Sequence, residues 1–196
     1  MDESARLMLA FRDGDDTAFD ALFQRWAGPL LRYLERMVSD AGTAEELVQE
    51  AFLRVHGARD RYSHDARFST WLYRIATNLA LNELRRPRRK AWHQSTFDDA
   101  GAPVDLRDDA PAVDDVVDAR RAGAALEARL GALPERQRIA LWLTAVEGFS
   151  YAEVAGTLDT TEKSVKALVH RARSALASPS RPAAEAGPGA EGRERR

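Results

Sequence analysis

Between Phe68 and Arg86 the apolar positions Trp71, Leu72, Ile75 and Leu79 recur at i, i+1, i+4 and i+8, with Ala76 and Ala80 between them. That is the spacing of one face of an α-helix. At about 100° per residue, Arg74, Asn78, Asn82 and Arg85 form a second, polar stripe beside Trp71. Arg86-Pro87 ends the pattern, because a residue before proline resists the α region. The rest of the N-terminal half keeps the helical period. Leu7, Met8 and Phe11 predict a short helix over 2–12, closed by the turn signal Asp13-Gly14-Asp15. Phe19, Leu22, Phe23 and Trp26 share a face of a second helix, capped by Asp16 or Thr17. Gly28-Pro29 predicts a bend or a restart before Leu30, Leu31, Leu34 and Val38 continue that face. Thr43-Ala44-Glu45-Glu46 has the form of a capping box and opens a helix to about His56. Its buried side is Leu47, Val48, Ala51, Phe52 and Val55, with Glu45, Gln49 and Glu50 outward. A short polar loop, Arg59 to Arg67, leads into the helix at Phe68.

The pattern resumes near Ala122 with Leu126, Leu130 and Leu133 at helical spacing. Pro134 suits the first position of the next helix, which carries Ile139, Ala140, Trp142 and Leu143 and stops by Gly148. Ser150-Tyr151-Ala152-Glu153 is a second capping box, opening a short helix with Val154, Ala155 and Leu158 inward. A turn at Asp159-Thr160-Thr161 precedes a longer helix to about Ala177. Short helix, tight turn and longer helix make a helix-turn-helix. The expected fold is all-α: two small helical domains, at 12–92 and 122–177, the second containing the helix-turn-helix.

Composition separates these domains. From Asp98 to Asp118 there are eight aspartates and one arginine, Arg107, with Gly101, Pro103 and Pro111 among them. Such a segment cannot bury enough apolar surface to offset its ordering entropy, so 93–121 reads as a flexible acidic linker. Residues 178–196, rich in Pro, Gly, Ala, Glu and Arg, read as a disordered tail. The 196 residues carry a formal charge of −2 and no cysteine, which excludes disulfides, thiolate zinc sites and cysteine catalysis. The four histidines are scattered without metal-binding spacing, and no cofactor is expected. There is no basic leader and no apolar run near the roughly 18 residues of a membrane span, so a cytoplasmic protein is expected. Paired carboxylates, a nucleophile with its base and a Gly-rich phosphate loop are all missing, and the chain does not read as an enzyme.

The near-zero net charge hides strong segregation. From Thr70 to Lys90 there are six Lys/Arg against one acid, Glu83. A basic helix carrying amides and ending in a basic run suits phosphates and exposed bases. The last helix divides likewise: Val165, Leu168, Val169, Ala172 and Leu176 are inward. Lys163, Lys166, Ala167, His170, Arg173 and Ser174 lie opposite, flanked by Ser164 and Arg171. Small or long polar side chains with cations for phosphates are what a helix in the major groove presents.

Taken in order, these motifs resemble the bacterial RNA polymerase sigma factors of the sigma-70 family, in the small two-domain extracytoplasmic-function (ECF) form. Glu46-Leu47-Val48-Gln49-Glu50-Ala51-Phe52 is similar to the family's polymerase-clamp signature, with Glu46 where aspartate is usual. Phe68 to Ala76 with Asn78 and Asn82 resembles the promoter-melting helix. Leu133 to Gln137, Gly148 to Ala155 and His170 to Arg173 resemble the second promoter-reading domain, with Ala167-Leu168 where many members carry Ser-Arg. The resemblance implies a transcription initiation factor that binds core RNA polymerase and promoter DNA and is held by an anti-sigma factor. It implies core-polymerase contacts at Glu46, Gln49, Glu50 and Phe52. It implies minus-ten contacts at Arg61, Tyr62, Ser63, His64, Arg67, Arg74, Asn78, Asn82, Arg85 and Arg86. Minus-thirty-five contacts would fall to Lys163, Ser164, Lys166, Ala167, His170, Arg171 and Arg173. A one-component helix-turn-helix regulator is the alternative reading; it predicts tight duplex binding by the free protein.

Overall fold

A computed structural model describes residues 2–63, 67–86 and 123–177. Four helices form the first body: α1 (Glu3–Arg12), α2 (Asp16–Val38), α3 (Ala41–Gly57) and α4 (Phe68–Leu84), with a 3-10 turn at Arg59–Arg61 before α4. Four more form the second: α5 at 123–131, α6 (Glu135–Ala145), α7 (Tyr151–Leu158) and α8 (Glu162–Ala177). No strand occurs among the described residues, as the helical periodicity predicts. The linker at 93–121, the tail at 178–196, His64 and the basic run at 88–90 lie outside the described residues.

The first body is built on α2, which packs against α1, α3 and α4. Its side chains Leu22, Leu30, Tyr33, Leu34 and Met37 are fully buried, facing Met8 and Phe11 of α1 and Leu72, Tyr73 and Ala76 of α4. The helix at 2–12 thus belongs to the core of the body expected to begin at 12. In the second body α8 packs on α6 and α7 through Val165, Val169 and Ala172.

Four local expectations are corrected. α2 runs unbroken through Gly28-Pro29. A proline there forgoes one backbone bond, but apolar positions on both sides of it enter one core, and that burial outweighs the local cost. The N-cap of α3 is Asp40, whose carboxylate accepts from the Thr43 amide at 2.7 Å, so the capping box at Thr43 does not form. The N-cap of α2 is Asp15, one residue before the expected pair. The box at Ser150 and Glu153 forms as read: the Glu153 amide donates to Ser150 Oγ at 3.2 Å, and the Ser150 amide to Glu153 Oε2 at 2.9 Å. Pro134 is the N-cap of α6 rather than its first residue.

Candidate nucleic-acid interface

The helix α4 owes its position to its buried side. Phe68, Leu72, Tyr73, Ala76, Thr77, Leu79 and Ala80 are all buried, and Thr77 Oγ1 meets the Tyr33 hydroxyl at 2.7 Å. Packing this stripe turns Arg74, Asn78 and Asn82 outward, and Arg85 and Arg86 continue the exposed line past the helix end. Arg86 lies 3.2 Å from Glu83. The structure therefore joins five of the predicted minus-ten residues into one exposed polar strip. Arg61, Ser63 and Arg67, before α4, are also exposed. Tyr62 is not: it is buried with its ring 5.1 Å from Trp71 and 6.4 Å from Phe68, and burial raises its hydroxyl pKa. Phe68 is fully buried and Trp71 half-buried, in keeping with core or rim positions.

On α3, Glu46 and Gln49 are exposed, and Glu50 pairs with Arg54 at 2.8 Å, one turn on. Phe52 is buried, its ring 4.8 Å from Phe23. Phe23 and Leu53 are exposed by 41% and 68%. An apolar spot thus adjoins the carboxylates on this face. Leu53 did not stand out in the sequence, and Phe23 read as part of the apolar face of α2, at whose edge it stays partly exposed.

The third cluster is the outer side of α8. Lys163, Lys166, Ala167, His170, Arg171 and Arg173 are all exposed. Ser164 is half-buried, its amide donating to Thr161 Oγ1 at 3.2 Å, so it serves the start of the helix. A shallow groove runs between this face and Tyr151 of α7, lined by Lys166, His170, Arg173 and Ser174. Leu168, standing where many members carry arginine, faces the core side.

One residue escaped the sequence reading. Arg138 on α6 is only 7% exposed. Its guanidinium donates to the Gly131 carbonyl at 3.0 Å and, across the two bodies, to the Met37 carbonyl at 2.8 Å. These carbonyls close α5 and α2, so the buried cation sits on two helix C-termini, where the backbone dipoles favour positive charge. Burial still lowers its pKa, and Nε has no partner. A lone arginine among Glu135, Arg136 and Gln137 carries no sequence signal of burial. At the same junction Tyr73 and Phe149 meet ring to ring at 5.4 Å. Burial raises the Tyr73 hydroxyl pKa further, with Glu147 nearby adding to it.

Comparisons with known proteins agree with this geometry. Residues 22–90 match the family described as Sigma-70 region 2, and residues 123–176 match Sigma-70, region 4. The RNA polymerase sigma-H factor of Pseudomonas aeruginosa is 32% identical, over 89% of this chain and 92% of that protein. The ECF RNA polymerase sigma-E factor of Escherichia coli is 31% identical, over 83% of this chain and 86% of its own length. Among solved structures, CnrH in complex with the cytosolic domain of CnrY shares the fold at a TM-score of 0.64 and 24% identity, covering 89% of this chain and 95% of that one. The sigma factor RpoE of Bartonella quintana, in complex with the anti-sigma factor NepR, does so at 0.61 and 22%, covering 81% and 93%. A regulator acting alone is not favoured, since the matches take in both bodies. Two helical bodies with separate cationic faces, each matching a sigma region in chain order, place this chain in the sigma-70 family, as an ECF-type transcription initiation factor that directs core RNA polymerase to promoters.

Proposed function

We propose that the work is divided among the three exposed clusters. The strip Arg74, Asn78, Asn82, Arg85 and Arg86, with Arg61, Ser63 and Arg67 before it, takes the melted non-template strand at the minus-ten element. Side-chain amides replace the pairing a melted base loses, and the arginines hold the phosphates. The α8 face of Lys163, Lys166, Ala167, His170, Arg171 and Arg173 reads the minus-thirty-five duplex in the major groove. Glu46, Gln49 and Glu50, with the apolar spot of Phe23 and Leu53, meet a basic surface of core polymerase; Phe52 supports Phe23 from below. A cytoplasmic protein restrained by an anti-sigma partner is part of the same reading. Among the described residues no helix is long and apolar enough to cross a membrane.

The observation that carries the proposal is the exposure of the amide stripe on a helix whose other side is fully packed. Joint replacement of Asn78 and Asn82 by alanine should leave core-polymerase binding intact. Open-complex formation should fall about tenfold or more, the ~1–3 kcal/mol of a well-made base contact. Equal loss of both activities would make the stripe structural. In the mirror experiment, Glu46→Lys weakens co-elution with core polymerase while circular dichroism stays unchanged.

A further inference from the structure

The outer side of α8 divides by what each residue is free to touch. Val165, Val169 and Ala172 are buried against α6 and α7 and fix the inner side. Taking about 100° per residue, the line directly opposite passes between Lys163 and Ala167. Both are exposed and lie one turn apart in the first half of the helix, the half that reaches base edges in a helix-turn-helix site. Lys166 and Arg171 stand to either side of that line, by roughly 80° and 60°. Lys166 also lines the shallow groove beside Tyr151, together with His170 and Arg173, so these three lie on the flank turned to α7. In such a site the first helix crosses the sugar-phosphate backbone, and cations beside it meet phosphates.

The helix is held in this orientation from its start. Arg136 of α6 donates to the Leu158 carbonyl at 2.7 Å, closing α7, and Asp159 makes the turn in the left-handed region. Thr161 Oγ1 then accepts from the Ser164 amide at 3.2 Å and meets the Ser164 hydroxyl at 3.0 Å. Ser164 is thereby committed to the helix start, and Leu168 packs toward the core. Two side chains remain on the outermost ridge. Lys163 has a long stem that reaches a base or a phosphate. Ala167 has a single methyl group, with no donor, no acceptor and no freedom to turn elsewhere. Its small size also lets the helix backbone come close to the groove floor. The one apolar group that base pairs present in the major groove is the thymine C5-methyl.

We infer that Ala167 is a specificity-determining residue, which selects thymine at one position of the minus-thirty-five element by packing its methyl group on the thymine C5-methyl. The inference rests on the reading of α8 as the minus-thirty-five surface. Any other base at that position sets Ala167 against an edge with no methyl to cover, and a polar edge there finds no partner on the helix. Lys166 and Arg171, on the flanks, hold phosphates and add affinity without choosing a base.

The test uses the full chain in complex with core polymerase, on a promoter that the complex transcribes. Each thymine of the minus-thirty-five element, on either strand, is replaced in turn by deoxyuridine, which removes only the methyl group. One of these replacements should lower promoter affinity about fourfold, the effect of one buried methyl. Ala167→Gly should bind the thymine promoter about fourfold more weakly, and the same uracil should then cost nothing further. Comparing thymine with uracil inside each variant cancels any loss of helix stability that the glycine brings. If every uracil is silent in the unmodified protein, or the uracil effect persists in Ala167→Gly, the assignment is overturned. Ala167→Glu separates that result from a failure of the wider reading. A carboxylate on the ridge should cut promoter affinity about tenfold or more where α8 lies in the groove. Unchanged affinity would mean that α8 does not meet the element, and the thymine assignment falls with it.

Discussion

At the scale of single residues, the buried polar groups do the most to define this structure. The Tyr33 hydroxyl is fully buried, and its only close partner among the described contacts is Thr77 at 2.7 Å; burial raises its pKa, with Thr77 opposing. Tyr33→Phe would leave the Thr77 hydroxyl unpaired in the core, and should lower the unfolding free energy by about 1–2 kcal/mol in a urea titration. An unchanged midpoint would mean that Thr77 finds another acceptor. Glu153 adds a pH dependence. Burial pushes its carboxyl upward, but the Ser150 amide and hydroxyl, Thr70 and Arg67 together hold it below the usual 4.5. A depressed carboxyl contributes stability that is complete above the unfolded-state value and fades as pH falls through the folded one. The protein should therefore lose part of its thermal stability as pH drops below about 4.5, and Glu153→Gln should flatten that part of the profile. Neither the burial of Tyr33 nor the partners of the half-buried Glu153 were legible in the sequence. Tyr33 stands between Arg32 and Leu34 on a helix that was expected to break, and Glu153 reads as an ordinary capping residue.

Among the elements, the misread positions share one cause. Asp40, Thr43, Asp15, Asp16 and Thr17 all offer a short side-chain oxygen near a helix start, and local chemistry does not rank them. Packing does. Once α2 and α3 meet through Leu34, Val38, Ala44 and Leu47, the chain turns at Ser39 in the left-handed region, and Asp40 is left where its carboxylate reaches the Thr43 amide. Pro29 tells the same story from the other side. It sits inside a 23-residue helix at a local cost that tertiary burial outweighs. Pro29→Ala should accordingly stabilise the protein, by up to about 3 kcal/mol, as measured by chemical denaturation. A loss of stability would show that the proline ring is itself a packing contact. Ser150→Ala, by contrast, should cost about 1 kcal/mol, since both halves of that box are made.

For the molecule as a whole, α1 shows how much the first body depends on residues outside its matched region. Phe11 is buried against Phe19, with ring centroids 4.9 Å apart. Phe11→Ala should destabilise the first body by about 3–5 kcal/mol in calorimetry, and a loss well under 1 kcal/mol would make α1 an appendage. The outer side of α8 makes a separate prediction. Promoter affinity of the polymerase complex should fall with salt, and Lys166→Ala should reduce the slope of log affinity against log salt by about 1. The order of helices, the division into two bodies and the segregation of cationic faces were all determined by sequence, because helical period and charge are local properties that any neighbour along the chain reveals. Contact across long separations belongs to tertiary structure alone. That Arg138 would cap α2, that Tyr62 would be covered, and that Glu153 would rest on Thr70 follow from how two packed bodies meet, and no local pattern encodes that meeting.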